Sequence, residues 1–372
     1  MGSARWKNPW RLMLGVNIAV AIAVFVHKIA LPPYVPYIHL LVDYHFGFVK
    51  RALIGAAVSL FTAKVPVWLV FVLGGGVWLI TLGLFIELFR RIFVFEEKHL
   101  PLFVFMVGSP FFFKNFMFTL GHFDIYGCLF AICLLLVPAR STLFVLLAAL
   151  GAIVLLLIHH IHALMYVPTI FVIVVLRHHL GEGRRSTGLC FATMLVLVLL
   201  FFAAQFRGTM PVPEVEFVDH LRNRMTDPSR TDLLAFSYIW YQPLSKEIAD
   251  TWQRLPSNIL GVPVYALLIG LHAPLWRYYA QRIRALSDDW HRRVVIAGLV
   301  GVSLGYLLMF FIVFDYSRWV SNWAVCMFLI LFAVKSLPAD RELQPIAAED
   351  GKTTLFGLIV TLIPRVGIVR PF

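Results

Sequence analysis

An all-α polytopic membrane protein is the fold class this sequence predicts, on three observations. Sixty per cent of its 372 residues are apolar and only 14% are charged, for a mean hydropathy of +0.83. About ten apolar stretches are long enough to cross a bilayer, and runs such as 143–157 carry no charge at all. The short turns between them concentrate Lys and Arg on one side. Helices are required because an open sheet would leave unpaired backbone groups in hydrocarbon, and the period-2 alternation of a transmembrane barrel is not visible.

The expected elements follow in chain order. The stretch 12–31, preceded by Arg5, Lys7 and Arg11, is too long for a signal peptide and has no small-residue cleavage site after it, so it reads as a retained first span. Later spans are expected near 66–89, 100–113, 120–137, 141–158, 163–177, 186–206, 257–275, 294–314 and 319–335. With the N-terminus cytoplasmic, Arg90, Arg91, Arg140, Arg177, Arg184, Arg185, Arg277, Arg282, Arg284, Arg292, Arg293 and Lys335 all face the cytoplasm. The formal charge of +12 is therefore a topology signal spread over turns, and nucleic acid is not an expected partner. The whole chain, 1–372, reads as one transmembrane domain of about 10–11 helices. It carries a first outer loop with a juxtamembrane helix at 32–65, an outer cap segment at 207–256, and a C-terminal cytoplasmic tail at 336–372. That tail holds a further apolar stretch, 355–368, interrupted by Pro364 and Arg365.

Cys128, Cys133, Cys190 and Cys326 all fall inside expected spans and read as small buried hydrophobes. There is no Walker A loop, no GxGxxG after a strand and no repeat period, which disfavours an ATP-driven pump. The unusual polar residues gather on the extracytoplasmic side. In the first outer loop, a helix through Asp43, Gly47, Lys50 and Arg51 would place an acid and two bases on one face, with the glycine between them. The segment 207–256 alternates charged and aromatic residues, including Arg222, Arg224, Trp240 and Tyr241, and four prolines would cut it into short helices. Shorter outer turns supply GHFD with His122 and Asp124, HHIH with His159, His160 and His162, and DYSRW with Asp315 and Arg318.

An acidic residue in the first outer loop, as at Asp43 in LVDYHFGFVKRALIG, resembles the hallmark of the GT-C superfamily of membrane glycosyltransferases, which use sugars carried on polyprenyl phosphate. SPFFFKNFMFTLGHFDIYGCLFAICLLL looks like the segment where the glucosyltransferases of N-glycan assembly carry HFQYN. His122, Phe123 and Asp124 stand there, with Ile125 and Tyr126 in place of the rest. The resemblance covers the first 140 residues or so and extends in logic to O-antigen and exopolysaccharide polymerases, whose outer arginines handle lipid-linked diphosphates. It implies an inverting glycosyltransferase in a bacterial inner membrane, with its active site extracytoplasmic. A lipid-linked sugar would be the donor, and a glycan or lipid-linked molecule the acceptor.

That chemistry asks for a base and for cations at the departing phosphate. Asp43 is the expected base, Arg51, Lys50 and Arg318 the phosphate contacts, and His122 a donor to phosphate or acceptor hydroxyls. Asp124 would hold sugar hydroxyls or a divalent metal ion, the one cofactor under consideration. His159 and His162 would line the pocket, and Trp240 and Tyr241 would offer flat faces to a sugar. Blander roles stay open: a solvated acid or helix cap at Asp43 and Asp124, headgroup anchoring by Lys50 and Arg51, a local pair of Asp315 with Arg318, and interfacial aromatics at Trp240 and Tyr241. Two other activities compete. A polymerase of lipid-linked repeat units would depend on Arg222 and Arg224, whereas a transporter or lipid flippase would need ionisable residues at mid-membrane depth and paired broken helices.

Overall fold

The computed structural model describes residues 8–93, 96–183, 187–341 and 344–366. Arg5, Lys7, Arg184 and Arg185 of the charge argument lie outside them. The helices are α1 (Pro9–Ile29), α2 (Tyr34–Leu41), α3 (Leu53–Ser59), α4 (Trp68–Phe93), α5 (Leu100–Val107), α6 (Phe113–Phe118), α7 (Asp124–Leu136), α8 (Thr142–Ile158), α9 (Val167–Val174), α10 (Thr187–Arg207), α11 (Glu214–Arg224), α12 (Leu244–Ile259), α13 (Val262–Leu271), α14 (Ala273–Arg284), α15 (Asp289–Ile312), α16 (Tyr316–Lys335) and α17 (Gly351–Leu362). No β-strand occurs among the described residues, so the all-α membrane class stands.

Six helical stretches are long and apolar enough to cross a membrane, or seven if α12 and α13, bent by 64° at their junction, count as one. Other expected spans are short or broken. The stretch expected at 100–113 is α5, which stops at Gly108, and α6, which restarts after Pro110. Gly108 packs too tightly for a side chain, since a Cβ there would lie 3.0 Å from the Thr361 hydroxyl. α16 is the central post of the bundle, buried over most of its length, whereas α1, α10 and α15 keep most of theirs exposed, as lipid-facing helices do.

The two long connecting segments build a second core at one end of the bundle, in which Tyr37, Leu41, Val49 and Val65 pack with Phe217, Leu221, Met225 and Trp240. Backbone bonds stitch the segments together: Val65 N–H donates to Arg224 O at 2.7 Å, Lys50 N–H to Gly208 O at 2.8 Å and Met210 N–H to Trp240 O at 3.1 Å. Asp43, Lys50, Arg222 and Arg224 belong to this capped end.

The C-terminal segment is docked on the bundle with one face against α1, α5 and α13. Asp350 caps α17 by accepting from Thr353 N–H at 3.1 Å. Its 12 residues rise about 18 Å, too little to span the ~30 Å hydrocarbon core. Its far end is met by Lys114, fully buried, whose ammonium donates to Val360 O at 3.0 Å and Thr361 O at 2.7 Å. Beyond α17 the chain runs on without helix to Arg365, whose guanidinium lies 4.4 Å from the centre of the Phe118 ring.

Candidate functional site

Asp43 follows the end of α2 and sits where the two cap segments meet. Its Oδ1 accepts from His45 N–H at 3.0 Å and pairs with His220 Nε2 at 3.2 Å; its Oδ2 accepts from Arg224 at 2.8 Å. Arg224 also donates to Leu41 O and, at 3.5 Å, to Gly55 O. Gly55 lets α3 seat against the end of α2, because a Cβ there would lie 1.9 Å from Val42 O. Burial pushes the Asp43 carboxyl up, but the bonds from His220 and His45 and the charge of Arg224 outweigh it and hold the group below the usual range. Both oxygens are thus committed to fastening α11 onto the first cap segment. Arg222 points elsewhere and pairs with Asp219 at 2.9 Å on the surface.

The expected helical face through Asp43, Gly47, Lys50 and Arg51 does not form. The chain from Val42 to Ala52 is turn and loop, with left-handed backbone at Gly47 (φ 91°) and Arg51 (φ 64°). Arg51 is the only non-glycine residue with positive φ among those described, a conformation costing about 1–2 kcal/mol in an L-residue. The turn separates Lys50 from Asp43 and sends it into the cap, where its ammonium donates to Gln242 O at 3.1 Å and lies 3.7 Å from the Glu247 carboxylate.

Trp240 is fully buried and its indole N–H donates to Lys50 O at 3.0 Å. It is a core anchor with no free face, which corrects the expectation of a sugar platform. Tyr241 is half-buried, edge-on to Phe217, with its hydroxyl unpartnered.

Burial, together with the neighbouring Arg51 charge, pushes Lys50 down to about 8 from the ordinary 10.5, and Glu247 only partly offsets this. Between those two pH values the unfolded chain binds more protons at this position than the folded protein. The cost of the buried ammonium is present below pH 8 and fades as pH rises towards 10.5, so stability should increase over that window. The gain is at most ~3 kcal/mol. Unfolding midpoints measured from pH 7 to 10 should show the rise in the wild type, and Lys50→Met should flatten it.

Deeper in the bundle, Asp124 opens α7 and Arg318 lies in the first turn of α16. Their contact is bidentate: Nε to Oδ2 at 2.7 Å and Nη2 to Oδ1 at 2.8 Å. Asn322, one helical turn on, donates to Asp124 Oδ2 at 3.3 Å and accepts from the Tyr166 hydroxyl at 2.7 Å. Arg318 also reaches Asp315 at 3.2 Å, so the expected local pair is one arm of a larger node.

Histidines ring this node. His39 stacks on Phe123 with 4.0 Å between centroids and meets His122 edge-on at 6.4 Å. His159 lies 6.4 Å from Phe123 and 6.1 Å from His162. His39 has neither ring nitrogen partnered, and Nδ1 of His160 is also without a partner. Burial, with Arg51 and Arg318 nearby, holds His39 well below its usual range, so it serves as a neutral donor and acceptor.

Arg51 reaches this ring from the cap side, within electrostatic range of His39, His159, His160, Glu247, Asp124 and Arg318. Its Nε is buried without a hydrogen-bond partner. Lys50 is answered by Glu247, Arg224 by Asp43, and Arg318 by Asp124 and Asp315. Of these four cations, Arg51 is the one with no carboxylate in ion-pair range among the described residues.

No group of three or more His, Cys, Asp or Glu side chains suited to a metal ion occurs among the described residues. Asp124, the expected ligand, has its oxygens filled by Arg318 and Asn322. His39, His220, Glu247 and Asn322 were missed from sequence. His220 meets Asp43 across 177 residues and Asn322 meets Asp124 across 198, and no local spacing reveals such pairs. No protein-family model, curated protein or solved structure matches this chain.

Proposed function

We propose that this protein is an integral membrane glycosyltransferase that moves a sugar from a polyprenyl-phosphate carrier to an acceptor at the capped, extracytoplasmic face of a bacterial inner membrane. The observation that carries the reading is Arg51: an unpaired, partly buried guanidinium on left-handed backbone, surrounded by histidines with free ring nitrogens. Backbone strain of this kind collects at ligand sites, and a guanidinium suits bidentate contact with phosphate. An apolar surface for the carrier's tail supports the reading: a small groove between α8, α9 and α10, lined by Ala148, Ala152, Val167 and Leu197, belongs to the same packing as Phe201, whose ring lies 6.4 Å from that of His160.

The polymerase reading has less support, because Arg224 is engaged by Asp43 and Arg222 faces outward. Transport is the second reading, favoured by one observation: buried Lys114, in the first turn of α6 just beyond the break after α5, reaches the end of α17, as ionisable groups at broken helices in transporters do.

Mass spectrometry of polyprenyl-linked sugars in cells lacking the protein tests the first reading. A lipid-linked sugar should accumulate, and wild type should clear it. Arg51→Gly should relax the backbone and hold or raise stability by about 1 kcal/mol, yet clear the pool ~100-fold more slowly. A pool that never changes would sink the transferase reading and leave transport to be assayed.

A further inference from the structure

Transfer to a hydroxyl needs a group that accepts its proton, and the carboxylates at the capped end differ in what their oxygens already do. Asp43 accepts from His45, His220 and Arg224. Asp124 is chelated by Arg318, and its Oδ2 also accepts from Asn322. Asp315 is engaged by Arg318 and Ser317. Glu247 stands apart. Its one ion pair, Oε1 to Lys50 Nζ, is 3.7 Å long, looser than the 2.7–2.8 Å contacts that hold Asp43 and Asp124 to their arginines. The side chain keeps 15% of its surface accessible, against 2% for Asp124.

Its placement suits the role. Glu247 lies in the first turn of α12, and that helix is tied to the end of α15 and the following loop by Thr251 Oγ1 donating to Ile312 O at 2.9 Å and Asn258 donating to Phe314 O at 3.0 Å. From there the carboxylate lies within electrostatic range of Arg51. A loosely held acid on a helix tied to α15, within electrostatic range of a guanidinium that no carboxylate pairs, suits a base next to a phosphate site.

We infer that Glu247 is the catalytic base that takes the acceptor's proton, with Asp43 fastening the cap and Asp124 positioning Arg318. This rests on the transferase reading above. The acceptor oxygen bonds to the anomeric carbon as that carbon's bond to the phosphate oxygen breaks. The bonding pair leaves with the phosphate, whose added negative charge faces Arg51. The hydroxyl proton passes to Glu247 and from there to water.

Membranes of cells lacking the protein hold both donor and acceptor, so purified wild type added to them should clear the accumulated lipid-linked sugar. Glu247→Gln should bind farnesyl phosphate, a short-chain stand-in for the carrier, within about twofold of wild type, yet clear the pool at least ~100-fold more slowly. Sodium formate should speed clearance by Glu247→Ala by ~10-fold or more, a response a structural carboxylate would not give. Wild-type clearance by Glu247→Gln overturns the assignment, as does loss of farnesyl phosphate binding in step with clearance. If wild type itself clears nothing, the transferase reading fails and the base falls with it; if wild type clears and Glu247→Gln keeps pace, the base assignment alone fails.

Discussion

Arg318→Ala should destabilise this protein more than the double replacement of Asp124→Asn with Arg318→Gln. The pair is bidentate, and Asp124 is 1% exposed. Removing the guanidinium leaves a buried carboxylate with one amide donor, Asn322, and breaking such a pair from one side typically costs about 3–5 kcal/mol. The double variant leaves two neutral amides that can hydrogen-bond each other, so most of that penalty should not arise. Unfolding midpoints of both variants in one detergent decide the matter. A double variant as unstable as the single one would mean that the node is held by shape and not by charge. The same node joins the first residue of α7 to α16, and through Tyr166 to the segment leading into α9, so its loss should loosen the floor of the histidine ring as well.

The second large effect is expected at another buried cation. Lys114 is fully enclosed and satisfies two carbonyls in the last turn of α17. Helix ends leave such carbonyls without intrahelical partners, and away from water each is costly to abandon. A positive charge at a helix C-terminus is also favourable to the helix dipole. Lys114→Met removes both charge-assisted bonds and should cost on the order of 3 kcal/mol, concentrated in one place. Hydrogen exchange should quicken across 351–366 while α16 stays protected. Unchanged exchange in the C-terminal segment would show that its packing against α1 and α5 holds it without the lysine.

Much of the scaffold was legible because it depends on composition and local spacing. Charge-free apolar runs and one-sided Lys and Arg identify helices in hydrocarbon whatever their partners. The site was legible as a set of residue types gathered at one end, and much less so as contacts. Asp124 and Arg318 were each visible, but their pairing joins residues 194 apart, and local spacing offers Arg318 only Asp315 as a carboxylate partner. Asp43 and Lys50 stood on one face only if their loop was helical; glycine at 47 and left-handed Arg51 turn the chain and send them to different partners. Glu247 carried no motif at all. Its position became meaningful only once α12 was seen to lie across the end of α15.

The cap's core also has a history during synthesis. Val70 closes its first half and Met210 opens its second, and the intervening 139 residues are mostly bundle helices. A ribosome adding 5–20 residues per second needs roughly 7–28 s to cover that distance. Throughout that interval the nascent chain holds Tyr37, Leu41 and Val65 without the Phe217, Leu221 and Trp240 that will cover them, and Asp43 without Arg224 and His220. The half-built cap is therefore a stage at which membrane-insertion and quality-control factors meet an exposed apolar surface. Substitutions in α11 should lower the yield of the protein through that stage before they alter anything in the finished molecule.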